Sequence, residues 1–461
     1  MPDQSLIQHL QETLGPEKVR TSLEERIAYS YDGTFEQDLP DAAVLPESTE
    51  DVAATIGIAV EHQVPVVPRG MASGLAAASV PFGGGIVLSL TRMNRILELD
   101  QENRTALVEA GVVTVDLEKS VEQVGLFYPP DPSSNEQSTI GGNIACNAGG
   151  PRCLKYGVTG DYVMGLAVVL HDGRVLRTGG KAIKNVVGYD LTSLFVGSEG
   201  TLGVITEALV RLVTKPKAVR TARAEFPSLE DASKTVNAIL AAGVVPATLE
   251  MMDETAIACI EEAMNLGLPL DVEAMLIIET DGADEETVVR EIETVAHVCR
   301  DNGARDVAVA QNSEDRNRLW RARRSVSPSL ARKAPNKLGE DITVPRSAIP
   351  EAVRRIKAIS DKYDLPIVVF GHAGDGNLHP NILFDKRDEE EWKKVEQIVA
   401  EIFQVAIDLD GTLSGEHGVG TLKRPFMEQA LGPLSLEIQR RIKEAFDPHG
   451  ILNPGKVLPD G

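Results

Sequence analysis

Cysteine is scarce in this chain and never clustered. Four are spread over 461 residues (Cys146, Cys153, Cys259 and Cys299) without a Cys-x-x-Cys pair, which excludes a disulfide framework and a cysteine-ligated iron–sulfur cluster. Positive charge is also short: 46 Lys and Arg stand against 69 Asp and Glu, a formal net charge of −23. So acidic a chain lacks the basic surface that nucleic acid or an anionic membrane requires of a direct partner. No run of about 18 apolar residues is available for membrane insertion, and Met1–Arg20 lacks the basic-then-apolar order of a signal peptide. The expected location is the reducing cytoplasm. Neither Gly-x-Gly-x-x-Gly after a strand nor Gly-x-x-x-x-Gly-Lys-[Ser/Thr] occurs, so the two common nucleotide-binding fingerprints are missing. What remains is the composition of a soluble globular protein, 43% hydrophobic and 25% charged, too long for one ordinary core.

Two glycine-rich stretches hold three of the eight histidines, Phe370–Asn381 and Ser414–Gly420. Ile367–Phe370 and Asn381–Phe384 read as strands, and Asp375-Gly376 between them is a favoured two-residue type I′ turn. That turn predicts His372 directly opposite His379, with Asn381 on the same face. His372, His379 and Glu416 then form a two-nitrogen, one-oxygen set with open positions, as in catalytic zinc sites. Zinc is the first expectation for the divalent ion, with manganese or iron as alternatives. His417 is left to serve as a base, and Asn381 to bond a substrate oxygen. His9, His62, His171, His297 and His449 read as surface or turn residues.

Along the chain, residues 1–37 read as a helical lead-in, a short helix and then an extended segment. Ser48 is placed to cap a helix over Asp51–Val60, between strands at Ala43–Pro46 and Val64–Pro68. The second strand runs into Arg69-Gly70-Met71-Ala72-Ser73-Gly74, a loop able to present several N–H groups to one anion. Three more small-residue segments follow, at Pro129–Gly150, Lys155–Gly157 and Gly197–Thr206. Almost free of acids, they suit a groove where main chain lies along a polyanionic cofactor. At Lys215-Pro216-Lys217 the texture changes to alternating strands (among them Glu340–Val344) and long helices, an α+β layer with the histidine hairpin added.

Pro68-Arg69-Gly70, Asp131-Pro132-Ser133-Ser134, Thr139–Asn143, Gly197–Thr206, Gly371–Pro380, Gly415–Gly418 and Leu452–Lys456 together resemble the FAD-linked oxidases of the vanillyl-alcohol oxidase / para-cresol methylhydroxylase superfamily. Within it the chain is most similar to the branch of glycolate oxidase D-subunits and D-lactate dehydrogenases. The resemblance implies an α+β fold: a two-subdomain FAD-binding domain of the vanillyl-alcohol oxidase type over 38–216, followed by an α+β substrate-cap domain over 217–457 that carries the metal site. It places Pro68 and the loop Arg69 to Leu75 (through Gly70, Met71, Ala72, Ser73 and Gly74) and Thr139, Gly141, Gly142 and Asn143 around the pyrophosphate. Glu199, Gly200, Gly203, Val204 and Ile205 would follow the adenine and flavin side. Asp131, Pro132, Ser133, Ala145, Asn147, Gly149 and Asn453 complete the expected FAD contacts. Relatives usually carry Gly-Ala-Gly-Thr-Gly where this chain has Gly70-Met71-Ala72-Ser73-Gly74, and with no histidine in that loop the flavin is expected to be non-covalent.

The implied reaction is oxidation of a D-2-hydroxy acid to the 2-oxo acid by hydride transfer to flavin. Arg323, after Leu319-Trp320, matches the family arginine that grips the substrate carboxylate; Lys337 is a second candidate and Ser327 a helper. The alternatives are glycolate oxidase catalytic subunit, stand-alone D-lactate or D-2-hydroxyglutarate dehydrogenase, non-catalytic FAD-binding subunit, and flavin-free zinc hydrolase. With no iron–sulfur motif of its own, the chain would pass electrons onward. The resemblance suggests an iron–sulfur electron-transfer subunit and a second flavin-type subunit, through which it would be peripheral to a membrane.

Overall fold

Local capping signals account for much of the helical structure. Ser48 accepts the Asp51 N–H at 3.2 Å and opens the helix Thr49–His62, as expected. A capping box at Ser22 and Glu25 opens a helix over Leu23–Ala28, within the segment read as extended. Residues 4–459 are described by this computed structural model; positions 1–3 of the expected lead-in lie outside the described residues.

The chain forms two compact units: Met1–Gly149 with Val158–Lys215 and Glu416–Gly461, and Gly150–Gly157 with Pro216–Gly415. The expected division at 216/217 into two uninterrupted stretches is therefore too simple. Residues from Glu416 onward return to the first unit, and eight residues from its middle leave it.

In the first unit, a four-stranded sheet pairs Ala42–Val44, Ile86–Ser89 and Val66–Arg69 in parallel, with Val19–Arg20 antiparallel at its edge. A separate five-stranded antiparallel sheet carries Val204–Arg211 at its centre. In the second unit, neighbouring strands are all antiparallel, in the order Asp306–Val309, Ala218–Phe226, Ala274–Gly282, Thr248–Asp253, Ile367–His372, Asn377–Phe384, Asn336–Gly339. Ile342–Thr343 also pairs with Asn377–Phe384. The single strand expected over Glu340–Val344 is thus two short pieces. Gly339 pairs with Asn381 and Ile342 with Leu378, one register interrupted opposite Pro380, which has no N–H for the ladder.

The hairpin register also departs from expectation. His372 pairs with Asn377 and Phe370 with His379, across a four-residue loop, Ala373–Gly376. Val344 donates its N–H to the Gly376 carbonyl at 3.1 Å, and a Cβ on Gly376 would lie 2.0 Å from the Val344 oxygen. That tertiary contact, at a glycine with φ +88°, prevails over the two-residue turn. The slip is by two residues on the opposing strand, which preserves the face of every side chain. His372, His379 and Asn381 still share one face.

Candidate active site

In the first unit, Pro68–Leu75, the first turn of the helix Ile140–Cys146 and the run Glu199–Ile205 line a groove. Among the described residues, no N–H from Met71 to Leu75 donates to a main-chain oxygen of the protein, so this loop has donors for an anionic ligand. A Cβ on Gly70 would meet Thr139 Oγ1 at 2.4 Å, so the bare main chain of the loop packs directly against the side chain that caps the helix. Thr139 caps the helix by accepting the Gly142 N–H at 3.2 Å. The acids on the wall are already bonded: Asp32 accepts from Thr34, and burial raises its carboxyl above the usual range. These features fit a polyanionic dinucleotide. Ala72 has φ 56°, a left-handed conformation that disfavours a side chain.

The C-terminal segment closes the groove and brings Glu416 and His417 into its lining. Glu199, 5% exposed, accepts the N–H groups of Val419 and Gly420 at 2.6 and 2.8 Å. Burial raises its carboxyl; those bonds and Lys423 and Lys456 oppose the shift. Asn453 is a clamp, its amide donating to the carbonyls of Ala78 and Glu199 at 2.9 and 2.7 Å. Lys456 reaches the Val80 carbonyl at 2.9 Å, and burial lowers its ammonium to about 8.

In the second unit the functional groups lie on one sheet face. The His372 and His379 rings are T-shaped with centroids 5.2 Å apart, both nearly buried. Glu250, directly across the ladder from His372, bonds His372 Nδ1 at 2.5 Å through one carboxylate oxygen. Its other oxygen accepts from Arg323 Nε at 2.6 Å, and the Arg323 guanidinium lies 4.8 Å over the Phe370 ring. Glu250 has no exposed surface; burial alone would raise its carboxyl, but His372 and Arg323 reverse that and hold it at about 2. Asp341, also fully buried, accepts from Asn377 Nδ2 at 2.5 Å through one oxygen. Its other oxygen accepts from Ser414 Oγ at 2.7 Å and the Gly415 N–H at 3.0 Å. Glu416 therefore begins one peptide bond from a point fixed beside the hairpin.

Most sequence-predicted cofactor residues line the groove; Asp131, Asn147 and Asn453 do not. Asn147 ends its helix at φ 52° and accepts the Gly160 N–H at 2.8 Å. Arg69, on the groove wall, turns its guanidinium to the carbonyls of Tyr31 and Ala28, fastening the N-terminal segment. Lys155–Gly157, expected in the groove, belongs to the second unit. Asn381 donates to the His379 carbonyl at 2.9 Å with its Oδ1 against Gly339, which makes it a support for His379. Ser327 does not continue the helix of Arg323. The chain breaks at Ser325 and a second helix, Val326–Lys333, brings Ser327 Oγ to Lys337 Nζ. Pro328 hid that helix, although proline is tolerated in a first turn. Glu250 and Asp341 were missed altogether, because a carboxylate in a strand has no local mark of its cross-strand partner. His171 and His449 lie in turns and His297 is exposed, as expected, while His9 and His62 are half-buried with His9 Nδ1 3.2 Å from His62 Nε2.

Comparison with known proteins divides the chain near residue 215 in sequence order. Residues 40–179 match the FAD binding domain and residues 215–457 the C-terminal domain of FAD linked oxidases. The glycolate oxidase subunit GlcD of Bacillus subtilis (strain 168) is 50% identical over 445 residues, covering 96% of this chain and 94% of that protein. The D-lactate dehydrogenase of Anaerostipes hadrus is 37% identical over 425 residues, covering 91% and 89%. A structure of p-cresol methylhydroxylase with substrate bound has a TM-score of 0.82 at 19% identity, covering 99% of this chain and 96% of that one, a likeness of fold. With both domains in order and close relatives matched along nearly their whole length, the chain belongs to the FAD-linked oxidases, and is an FAD-linked oxidoreductase.

Proposed function

We propose that the protein oxidises a small D-2-hydroxy acid, glycolate or D-lactate, to the 2-oxo acid. FAD is held non-covalently in the groove of the first unit, and a divalent metal ion, zinc first, by His372, His379 and Glu416. The observation that carries this reading is the buried row Arg323–Glu250–His372. A metal-ligating histidine commonly donates its second ring nitrogen to a carboxylate, which fixes the ring and its tautomer. Glu250 supplies that support to His372 Nδ1 and leaves Nε2 as the ligand atom.

When bound, flavin supplies hydride acceptance and the metal supplies Lewis acidity at the substrate hydroxyl. The chain's own residues do the remainder. His417, on the groove wall, takes the hydroxyl proton. Arg323 and Lys337 receive the substrate carboxylate, Lys337 being an apt partner for an anion because burial lowers its ammonium and an anionic neighbour would restore it. Asn381 holds His379 in place.

A relative named as a glycolate oxidase subunit favours partner subunits, an iron–sulfur electron-transfer subunit and a second flavin-type subunit, over a stand-alone dehydrogenase. Among the described residues no helix is long and apolar enough to cross a membrane. The intact histidine and carboxylate set argues against a non-catalytic FAD-binding subunit. Anaerobic bleaching of the flavin by a panel of D- and L-2-hydroxy acids, before and after chelation, tests the reading. Bleaching is expected with the small D-acids, lost on metal removal and in His417→Ala. Bleaching by none of the acids would sink the substrate class, and bleaching indifferent to both chelator and His417 would sink the mechanism.

A further inference from the structure

We propose that Gly150–Gly157 is a positioning strap for the metal-binding hairpin, anchored on Asp281 and acting through Leu154 on Gly374. The inference rests on the hairpin role assigned above. The chain leaves the first unit after Gly149, which lines the flavin groove, passes through the second unit, and returns at Val158. Within the second unit the strap is bound at two points.

The first point is Asp281, whose side chain is 7% exposed. Lys155 Nζ donates to its Oδ1 at 2.5 Å and to its main-chain carbonyl at 2.6 Å; Tyr156 Oη donates to its Oδ2 at 2.7 Å. Both carboxylate oxygens thus face the strap, one meeting a cation and the other a phenol. Charge-assisted bonds to so buried a carboxylate resist exchange with water. Two adjacent side chains aimed at one acid also fix the direction in which Leu154 points.

The second point is the loop of the hairpin. Leu154 lies where Gly374 would carry a Cβ, with its Cδ2, Cβ and Cγ at 2.6, 3.1 and 3.2 Å from that position. Gly374 does not have a positive φ, so its backbone would accept alanine and the obstacle is Leu154. The Gly374 N–H donates to the Leu249 carbonyl at 3.2 Å, next to Glu250 in the chain. Leu154 therefore presses on the loop that ends the strand of His372, at the point where that loop is tied to the strand of Glu250. Leu154, Lys155, Tyr156 and Asp281 are positioning residues.

A size-exchange cycle tests this in the FAD-loaded full-length protein. Gly374→Ala should lower both kcat and the affinity for added zinc, measured by chelator competition, by about tenfold, since small misplacements in a site carry losses of that order or more. Combining it with Leu154→Ala should bring both back to within about threefold of Leu154→Ala alone, because the Cδ2 and Cγ contacts are then gone and the remaining Leu154 Cβ, 3.1 Å from the added methyl, has only to give slightly. Asp281→Asn should reproduce the loss with an unchanged flavin absorbance spectrum. A merely structural contact would alter the melting temperature and leave zinc affinity and kcat as they were. Wild-type values in Gly374→Ala, or losses that multiply in the double variant, would overturn the strap. A wild-type protein that binds zinc but oxidises no 2-hydroxy acid would overturn the functional reading instead, while the zinc arm still decides the strap.

Discussion

Glu250 illustrates what a single buried carboxylate can organise. Flanked by His372 and Arg323 and shut off from water, it stays ionised only because both neighbours bond it. Glu250→Gln keeps the shape and removes the charge that orients the His372 ring. Its zinc affinity should fall by roughly 10- to 100-fold, the usual effect of losing a ligand's carboxylate support, read by competition with a chelator; unchanged affinity would detach Glu250 from the metal. Asp253 shows the opposite balance. It caps the helix Glu254–Met264 and accepts the Val369 N–H, yet burial pushes its carboxyl up from 3.8 to about 6. The native protein therefore holds this proton when the unfolded chain has lost it. The group's contribution to stability is largest below about pH 4 and declines by on the order of 3 kcal/mol as pH rises past 6. Asp253→Ser retains a capping oxygen without that titration. The unfolding free energy of wild type minus variant, from urea titrations, should fall between pH 4 and 6.5, and a flat difference would refute the assignment.

At the scale of elements, the hairpin shows where sequence reasoning succeeds by pattern and fails by geometry. Strand alternation put His372, His379 and Asn381 on one face, and they are there. The turn type was wrong, since Asp375-Gly376 serves a longer loop pinned by Val344. Because the slip was even, the shared face survived the error; a slip of one residue would have sent the histidines to opposite faces. Asp341 joins this hairpin to Ser414–Gly415, and so sets where Glu416 starts. Asp341→Asn can keep only part of that network, leaving a buried donor or acceptor unmatched. It should weaken zinc binding by about tenfold and lower the melting temperature. Loss of stability at full zinc affinity would show that Glu416 is placed without it.

For the molecule as a whole, the C-terminal segment from Glu416 is the piece that sequence order concealed. It follows the second unit in the chain but is bound into the first, through Glu199, Asn453 and Lys456. Asn453 touches no groove surface, so its tie to Ala78 and Glu199 is structural. Asn453→Ala leaves the buried Glu199 carbonyl and the half-buried Ala78 carbonyl without that donor, at a cost of about 1–3 kcal/mol, and should weaken FAD retention by roughly tenfold or more, measured by flavin release on dilution. An FAD affinity equal to wild type would return Asn453 to a passive role. The two α+β layers, the small-residue groove and the histidine pair were legible because each depends on local periodicity or on residue type.

The sequence by itself determined the family, the fold class, the helix start at Ser48 and the identity of the candidate ligands, since caps, turns and strand alternation act over a few residues. Tertiary structure alone decided the hairpin register, the support of His372 by Glu250, the anchoring of Gly415 by Asp341, and the passage of Gly150–Gly157 into the second unit. Each of these joins residues far apart in the chain. Whether a buried carboxylate meets a histidine, an arginine or a serine depends on which strands become neighbours, and no local pattern encodes that. The proposed ligands were therefore nameable in advance, whereas the groups bonded around them were not.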